Sequence, residues 1–125
     1  MPWKERYTIS DEKSLLDPEI GWPDGQRCCF RVVVDLSPPC GPDGITARDI
    51  ANPDAYFGMH GGLESLCDTL QRHSIPATFA VPAAIAEIYA DKIRALHAQG
   101  HEIAAHGFKH EDLSKLERDE EQARV

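Results

Sequence analysis

The stretch ATFAV, residues 77–81, decides the fold of this chain, and Pro82 follows it directly. A short run of apolar and β-branched residues that ends in this way is typical of a buried strand. Pro82 suits the first turn of a helix, where its missing N–H group leaves no hydrogen bond unmade. The segment therefore predicts a strand that leads directly into a helix.

Helices are predicted on both sides of this strand. Before it, the apolar spacing i, i+3, i+4, i+7 predicts a helix that ends near residues 73–74. The residues that carry this spacing are Leu63, Leu66, Cys67 and Leu70. After it, an apolar stripe predicts one continuous helix from Pro82, which Gly100 ends as a left-handed cap.

Two more strands are predicted, at residues 28–36 and 102–105. Residues 38–60 are rich in Gly, Pro and Asp, so we expect a long loop there, with a short helical turn after Asn52. A charged helix is expected over residues 113–125. Strands that alternate with helices predict an α/β fold with parallel strands joined by crossover helices.

Three parallel strands leave two open sheet edges, which a complete sheet normally closes or covers. We therefore expect the N-terminal portion of a larger barrel, incomplete in this chain and formed by residues 28–125. An irregular leader is expected over residues 1–27, because residues 21–25, GWPDG, are turn residues. The open edges also predict association, either as a homo-oligomer or with a complementing C-terminal half.

Charge and hydropathy exclude several classes of partner. The formal net charge is −8, and no basic run is present, so a nucleic-acid partner is not expected. No run approaches the roughly 20 apolar residues that span a bilayer, so no membrane partner is expected. The N-terminal residues carry scattered charges and no apolar stretch of signal-peptide length, which predicts a cytoplasmic location.

Three side chains are candidates for chemistry at one edge of the predicted sheet. Asp35 lies at the carboxyl end of the first strand, and His106 and His110 follow the third strand, four residues apart. Parallel α/β proteins bind ligands at the carboxyl ends of their strands, so these groups are expected to converge. His101 is left out because its parity along the strand differs from that of His106.

The residue types leave two chemical schemes open. Two imidazoles and a carboxylate can hold a divalent metal ion such as zinc, with positions left for water. The same groups can work without any cofactor, because a carboxylate can take a proton from water and an imidazole can give one to a leaving nitrogen. The spacing alone is a weak signal, since isolated surface histidines are common and an aspartate often caps a loop.

Two longer motifs resemble a known family. Residues 74–82, SIPATFAVP, are similar to the second strand of the polysaccharide deacetylases, and residues 100–111, GHEIAAHGFKHE, to their histidine motif. The resemblance covers residues 22–125. It is greatest to the branch that contains peptidoglycan-deacetylase-like proteins, allantoinases and cyclic-imide hydrolases, and residues 6–8 and 22–25 resemble the leader of that branch.

The resemblance implies a distorted (β/α) barrel and a role for each site residue. Metal-using members carry two acidic residues on the first strand, a base and a metal ligand. Asp35 matches the base, and His106 and His110 match the metal-binding histidines. Ser37 stands where the metal-binding carboxylate would be, and a hydroxyl is a poorer ligand. Allantoinase-like members are regarded as metal-independent, and the later motifs of the family have no counterpart before Val125.

Three hypotheses follow. The first is a hydrolase of a C–N bond in a small amide, cyclic imide or ureide. Asp35 would act as general base, and His106 and His110 would polarise the carbonyl or bind a metal. The second is a zinc-dependent N-deacetylase of an acetylated sugar. The third is an inactive fragment or pseudoenzyme that acts as a partner subunit.

Overall fold

The computed structural model describes residues 23–124. The chain divides into two units, Met1–Phe30 and Arg31–Val125. Within the described part of the first unit there is a short 3₁₀ turn, Pro23–Gly25. The predicted leader lies outside the described residues as far as residue 22. None of the helices between residues 23 and 124 combines the length and the apolar character needed to cross a bilayer.

A parallel sheet of three strands forms the centre of the second unit, as predicted. The strands are β1 (Val32–Asp35), β2 (Ala77–Val81) and β3 (Glu102–Ala105), and β2 lies between the other two. Asp35 pairs with Ala80, and Ala80 pairs in turn with Ala104. Because β2 has a neighbour on both sides, it is the most buried strand, and Phe79 within it is completely inaccessible.

The apolar core lies between one face of this sheet and the helices. Helix α3 (Leu63–Arg72) confirms the predicted spacing, since Leu63 and Leu70 are both buried. The other buried apolar side chains of the core are Leu36, Ile45, Met59, Ala77, Phe79, Val81, Ile85 and Leu96. Burial of each large side chain contributes about 1.5–3 kcal/mol, so this face holds the sheet and helices together.

The helix predicted from Pro82 to Gly100 is two helices, α4 (Ala83–Ile88) and α5 (Ala90–Ala98). Pro82 is the N-cap of the first, and Gly100 has the predicted left-handed conformation, with φ +89°. The break is at Tyr89, whose φ and ψ are −114° and 34°. Apolar periodicity does not detect the break, because helical hydrogen bonds continue through it: the N–H of Tyr89 donates to the Ile85 carbonyl, and the N–H of Ile93 to the Tyr89 carbonyl.

The prediction of a long loop over residues 38–60 is wrong in part. Two short helices form there, α1 (Ala47–Ile50) and α2 (Pro53–Phe57), and a π-helical turn, Gly58–Gly62, joins the second to α3. A capping box between Thr46 and Asp49 begins α1. The predicted turn after Asn52 is confirmed, because the Asn52 side chain accepts a hydrogen bond from the N–H of Asp54.

Two further boundaries differ from the predictions. The first strand spans Val32–Asp35, so residues 28–31 and Leu36 of the predicted strand lie outside it, because pairing with β2 runs only from Val32 to Asp35. The predicted C-terminal helix is a 3₁₀ turn, Leu113–Lys115, followed by α6 (Arg118–Arg124). Leu116 separates them, because its backbone dihedral angles are extended. The prediction, which relied on the charge-rich composition, therefore made this helix too long.

Candidate active site at the carboxyl ends of the strands

Asp35 is the last residue of β1, and a tight turn orients its carboxylate. The backbone N–H of Ser37 donates to Asp35 Oδ1 at 2.8 Å, which fixes that oxygen. The other oxygen, Oδ2, faces the imidazole of His106. The Asp35 side chain is 52% exposed, so water can reach it. Asp35 is therefore both a loop cap, the role considered as an alternative, and an accessible carboxylate.

His106 is the first residue after β3, and it continues the parallel ladder. Its backbone N–H donates to the carbonyl of Val81 at 3.1 Å. This bond holds the residue at the carboxyl end of the sheet. Its Nε2 atom lies 3.7 Å from Asp35 Oδ2, although β2 separates the two strands. Register places Ala80 between Asp35 and Ala104 on that face, and a methyl group leaves the space open.

His110 reaches the same place from the loop after β3. It has a left-handed backbone, with φ 57°, which is uncommon for a residue with a side chain. Its Nδ1 atom lies 3.1 Å from the hydroxyl of Ser37, at hydrogen-bonding distance. The rings of His106 and His110 are 4.7 Å apart between centroids and tilted by 40°.

Neighbouring segments hold this loop from two sides. On one side, the N–H groups of Ala83 and Ala84 donate to the carbonyls of Gly107 and Phe108, each at 3.0 Å. On the other, the N–H of Ile45 donates to the Lys109 carbonyl at 2.7 Å. A Cβ atom on Gly44 would lie 2.7 Å from that same carbonyl oxygen, so only glycine permits this approach. Two supports therefore fix the loop that carries His110.

Glu111, which follows His110, holds the loop in place through two contacts. One of its oxygens accepts a hydrogen bond from the Lys109 N–H at 2.6 Å, and the other lies 3.7 Å from Arg124 Nε. Its side chain is only 6% exposed, so this carboxylate is structural. Sequence reasoning did not identify Gly44 or Glu111 as supports, because their roles depend on contacts across the fold.

The structure thus brings together all three predicted side chains. One ligand-type atom from each of Asp35, His106 and His110 lies within 4.8 Å of the others, and no second group of this kind occurs among residues 23–124. Burial raises the pKa of Asp35, but hydrogen bonding by Ser37 and the nearby imidazoles outweigh it and lower that pKa overall. The site therefore presents an ionised carboxylate beside two imidazoles.

The remaining histidines have other surroundings. His101 is buried, and its Nδ1 accepts a hydrogen bond from the N–H of Ala77 at the amino end of β2. His60 stacks on Tyr56 at 4.1 Å, and its Nδ1 lies 2.8 Å from the carbonyl of that residue. His73 is exposed at the end of α3. His97 is exposed in the last turn of α5. The surroundings of His101 agree with its omission from the site.

Comparison with known proteins identifies the family of the chain. The model of the polysaccharide deacetylase family matches residues 54–125, more than half of the sequence. The chain belongs to the polysaccharide deacetylase family. Polysaccharide deacetylases are C–N hydrolases, and the predicted superfamily is confirmed.

Curated relatives and a solved structure agree with this assignment. Chitooligosaccharide deacetylases from Sinorhizobium fredii (strain NBRC 101917 / NGR234) and Bradyrhizobium sp. (strain ANU 289) are 43% and 42% identical to the chain over 67 residues. Each match covers 50% of this chain but 31% of the relative. The crystal structure of a Mycobacterium smegmatis protein assigned to the polysaccharide deacetylases matches with a TM-score of 0.65 and 28% identity, over 83% of this chain and 38% of that one.

A cavity of about 390 Å³ adjoins the active-site candidate of this family member. Asp35 and Ser37 lie on its wall, and most of the remaining wall is apolar, including Met59, Leu63 and Ile85. His106 and His110 do not line it. The cavity and the three-residue cluster therefore meet only at the turn after β1.

The donor set of the cluster fits a divalent metal ion. Two imidazole nitrogens and one carboxylate oxygen are the ligands that zinc and similar borderline ions accept, with room left for water. The hydroxyl of Ser37 adjoins this set through His110 and adds a neutral, weak donor. The structure therefore contains a candidate metal site of one carboxylate and two histidines.

Proposed function

We propose that this protein hydrolyses a C–N bond in a small amide, cyclic imide or ureide. One observation carries the proposal: a carboxylate from the end of β1 and two imidazoles from beyond β3 converge within 4.8 Å. These are the group types that amide hydrolysis needs, a base for water and donors for the carbonyl oxygen.

Asp35 is the general base in this proposal. As the water oxygen bonds to the carbonyl carbon, the carboxylate takes one of its protons, and the carbonyl electron pair moves onto the oxygen. When that pair returns, the C–N bond breaks and its electrons leave with the nitrogen, which takes up the proton. One water is consumed, and a carboxylic acid and an amine form, or a ring opens if the substrate is cyclic.

His106 and His110 act on the carbonyl oxygen in the same scheme. An imidazole N–H directed at that oxygen stabilises the negative charge that develops on it. The contact between His110 Nδ1 and the Ser37 hydroxyl, at 3.1 Å, orients one ring for this role. The turn that fixes Asp35 Oδ1 keeps Oδ2 directed toward the histidines, so the base and the donors face one another.

The residue at position 37 supports a small cyclic substrate. Ser37 stands where metal-using members of the family carry a second carboxylate, and a hydroxyl is a poor ligand for a hard or borderline cation. The allantoinase-like branch, which the sequence resembles, is regarded as metal-independent and acts on cyclic ureides and imides. The cavity beside Asp35 has the size of a small-molecule site.

A zinc-dependent N-deacetylase of an acetylated sugar is the second candidate. The observation that favours it is the 43% identity to a chitooligosaccharide deacetylase. In that case His106, His110 and Asp35 would hold the ion, which would act as a Lewis acid toward the carbonyl.

A substrate panel with and without a chelator separates the two candidates. The purified protein would be assayed against a cyclic imide, a hydantoin, allantoin and an N-acetylated sugar, with Asp35→Asn as the control for contaminating activity. Turnover of an imide or ureide that survives chelation supports the first proposal. Turnover of the sugar alone, abolished by the chelator, supports the second. If no substrate is turned over, the third hypothesis, an inactive partner subunit, gains support.

Three further predictions belong with this function. A cytoplasmic location would be tested by cell fractionation. The division into a leader, residues 1–27, and a barrel portion, residues 28–125, would be tested by limited proteolysis. Association, with a second copy or with a complementing C-terminal half, would be tested by sedimentation.

A further inference from the structure

We propose that a divalent metal ion bound at this site inhibits the hydrolysis, because the ion and the transferred proton compete for the carboxylate of Asp35. The inference rests on the proposed function, in which Asp35 is the base. It concerns how a metal ion regulates that site, and it predicts that binding of the ion lowers turnover.

The donor set contains a single carboxylate. Asp35, His106 and His110 are the one group of potential ligands found among residues 23–124, and their ligand atoms lie within 4.8 Å of one another. An ion held by both imidazoles therefore has Asp35 as its anionic ligand. Without Asp35 the set would be two neutral nitrogens and a hydroxyl, which bind a divalent cation weakly.

The same oxygen of Asp35 serves both purposes. Oδ1 already accepts a hydrogen bond from the Ser37 N–H at 2.8 Å. Oδ2 faces the imidazoles, 3.7 Å from His106 Nε2. A metal ion binds the deprotonated ligand and competes with protons for it. A carboxylate oxygen engaged by the ion is therefore lost as an acceptor for the proton of water.

Because position 37 is a serine, Asp35 cannot bind the metal ion and accept the proton at the same time. Its hydroxyl lies 3.1 Å from His110 Nδ1, so the side chain at this position is directed at the ligand set. A carboxylate there would reach the same imidazoles and supply the anionic ligand. Asp35 would then remain free to accept a proton, and metal binding would cease to inhibit.

Cobalt(II) provides a readout of binding that does not depend on activity, because its visible absorption reports coordination. The chelator-treated protein would be titrated with Co²⁺ and, separately, with Zn²⁺, while absorption and turnover of a cyclic imide are followed. We expect turnover to fall in proportion to Co²⁺ occupancy, by about 100-fold at saturation, the scale of losing a general base.

Two variants test the role of position 37. Ser37→Asp should bind Co²⁺ more tightly than the unchanged protein, and loading with Co²⁺ should not lower its turnover relative to the same variant free of metal. Ser65→Asp adds the same charge at an exposed position on α3 and should behave like the unchanged protein. Asp35→Asn should weaken Co²⁺ binding, which the absorption reports even though this variant is inactive.

The outcomes distinguish this inference from the proposed function. If the loaded and metal-free proteins turn over the imide equally, or Co²⁺ binds equally well to Asp35→Asn, only the inference is overturned. If turnover requires the metal, or no turnover occurs in either state, the metal-free function and the inference both fail. Loss of turnover that follows Co²⁺ occupancy and disappears in Ser37→Asp supports both.

Discussion

The two ends of the central sheet carry polar clusters on the same face, and they differ in how their charges are paired. At the amino end, Arg31 donates to Thr78 at 3.1 Å and to Glu102 at 3.0 Å. At the carboxyl end, Asp35 faces His106 at the longer distance of 3.7 Å. Strand register places both clusters on one face of the sheet, and Arg31, directly before β1, is four residues from Asp35.

The difference shows which cluster can act on a ligand. At the amino end, the hydrogen bond from Thr78 and then the charge of Arg31 lower the pKa of Glu102, so a full cation and a hydroxyl already satisfy that carboxylate. At the carboxyl end, the hydrogen bonds to Asp35 from described residues come from Ser37, and the nearest imidazole nitrogen, His106 Nε2, lies at 3.7 Å. A polar cluster on a sheet face therefore indicates a catalytic or binding site only where its side chains are not already paired with one another.

The largest expected effect comes from removing one carboxylate at each end. Asp35→Asn should lower turnover by about 100-fold or more, because an amide cannot take a proton from water. Glu102→Gln makes the same change at the amino end and should leave turnover close to that of the unchanged protein. Steady-state kinetics with the active substrate would measure both. Equal losses in the two variants would refute the distinction between the clusters.

The next effect tests the support of the loop at the carboxyl end. Gly44→Ala should lower the free energy of unfolding by about 2–3 kcal/mol, because it adds left-handed strain and a contact of 2.7 Å with the Lys109 carbonyl. Turnover should fall as well, since the loop carries His110. Gly41→Ala, where a Cβ atom meets nothing within 4 Å, is the matched control. Denaturant unfolding and kinetics would compare them, and equal stability would contradict the role of Gly44.

A smaller effect is expected from the buried histidine at the amino end. His101→Ala leaves the N–H of Ala77 without its acceptor and should cost about 1–2 kcal/mol of unfolding free energy. Turnover per folded molecule should not change, because the residue is at the end of the sheet away from Asp35. His97→Ala, at an exposed position on α5, is the control for stability. A selective loss of turnover in His101→Ala would contradict a purely structural role.

The smallest effect concerns the titration of the two carboxylates. The pKa of Asp35 and that of Glu102 are both lowered in the folded protein. The interactions responsible therefore stabilise the fold above the pKa of the unfolded chain, and this stabilisation is lost as the pH falls through the lower folded pKa. Ser37→Ala should raise the pKa of Asp35 alone, and Thr78→Val that of Glu102 alone. Carboxyl carbon NMR titrations would measure each shift, and a change at the opposite end of the sheet would show that the clusters are coupled.

Local sequence patterns predicted the helices and strands whose signals are carried by residues close together in the chain. The second and third strands and α3 have the expected boundaries, and Gly100 has the expected left-handed conformation. The prediction of a long loop was wrong at α1, because it ignored the capping box from Thr46 to Asp49, which is itself a local signal for a helix. The break at Tyr89 has no such signal in the apolar periodicity.

The sequence by itself determined the parallel α/β order, the family motifs and the three candidate side chains, because each depends on residue type and short spacing. Only the tertiary structure decided that Ser37 contacts His110, across 73 residues of chain, and that Gly44 makes room for the loop that carries this histidine. It also decided that Asp35 and His106 lie 3.7 Å apart although β2 separates their strands. Strand register and close approach of backbones arise from packing between distant segments, which no local pattern encodes.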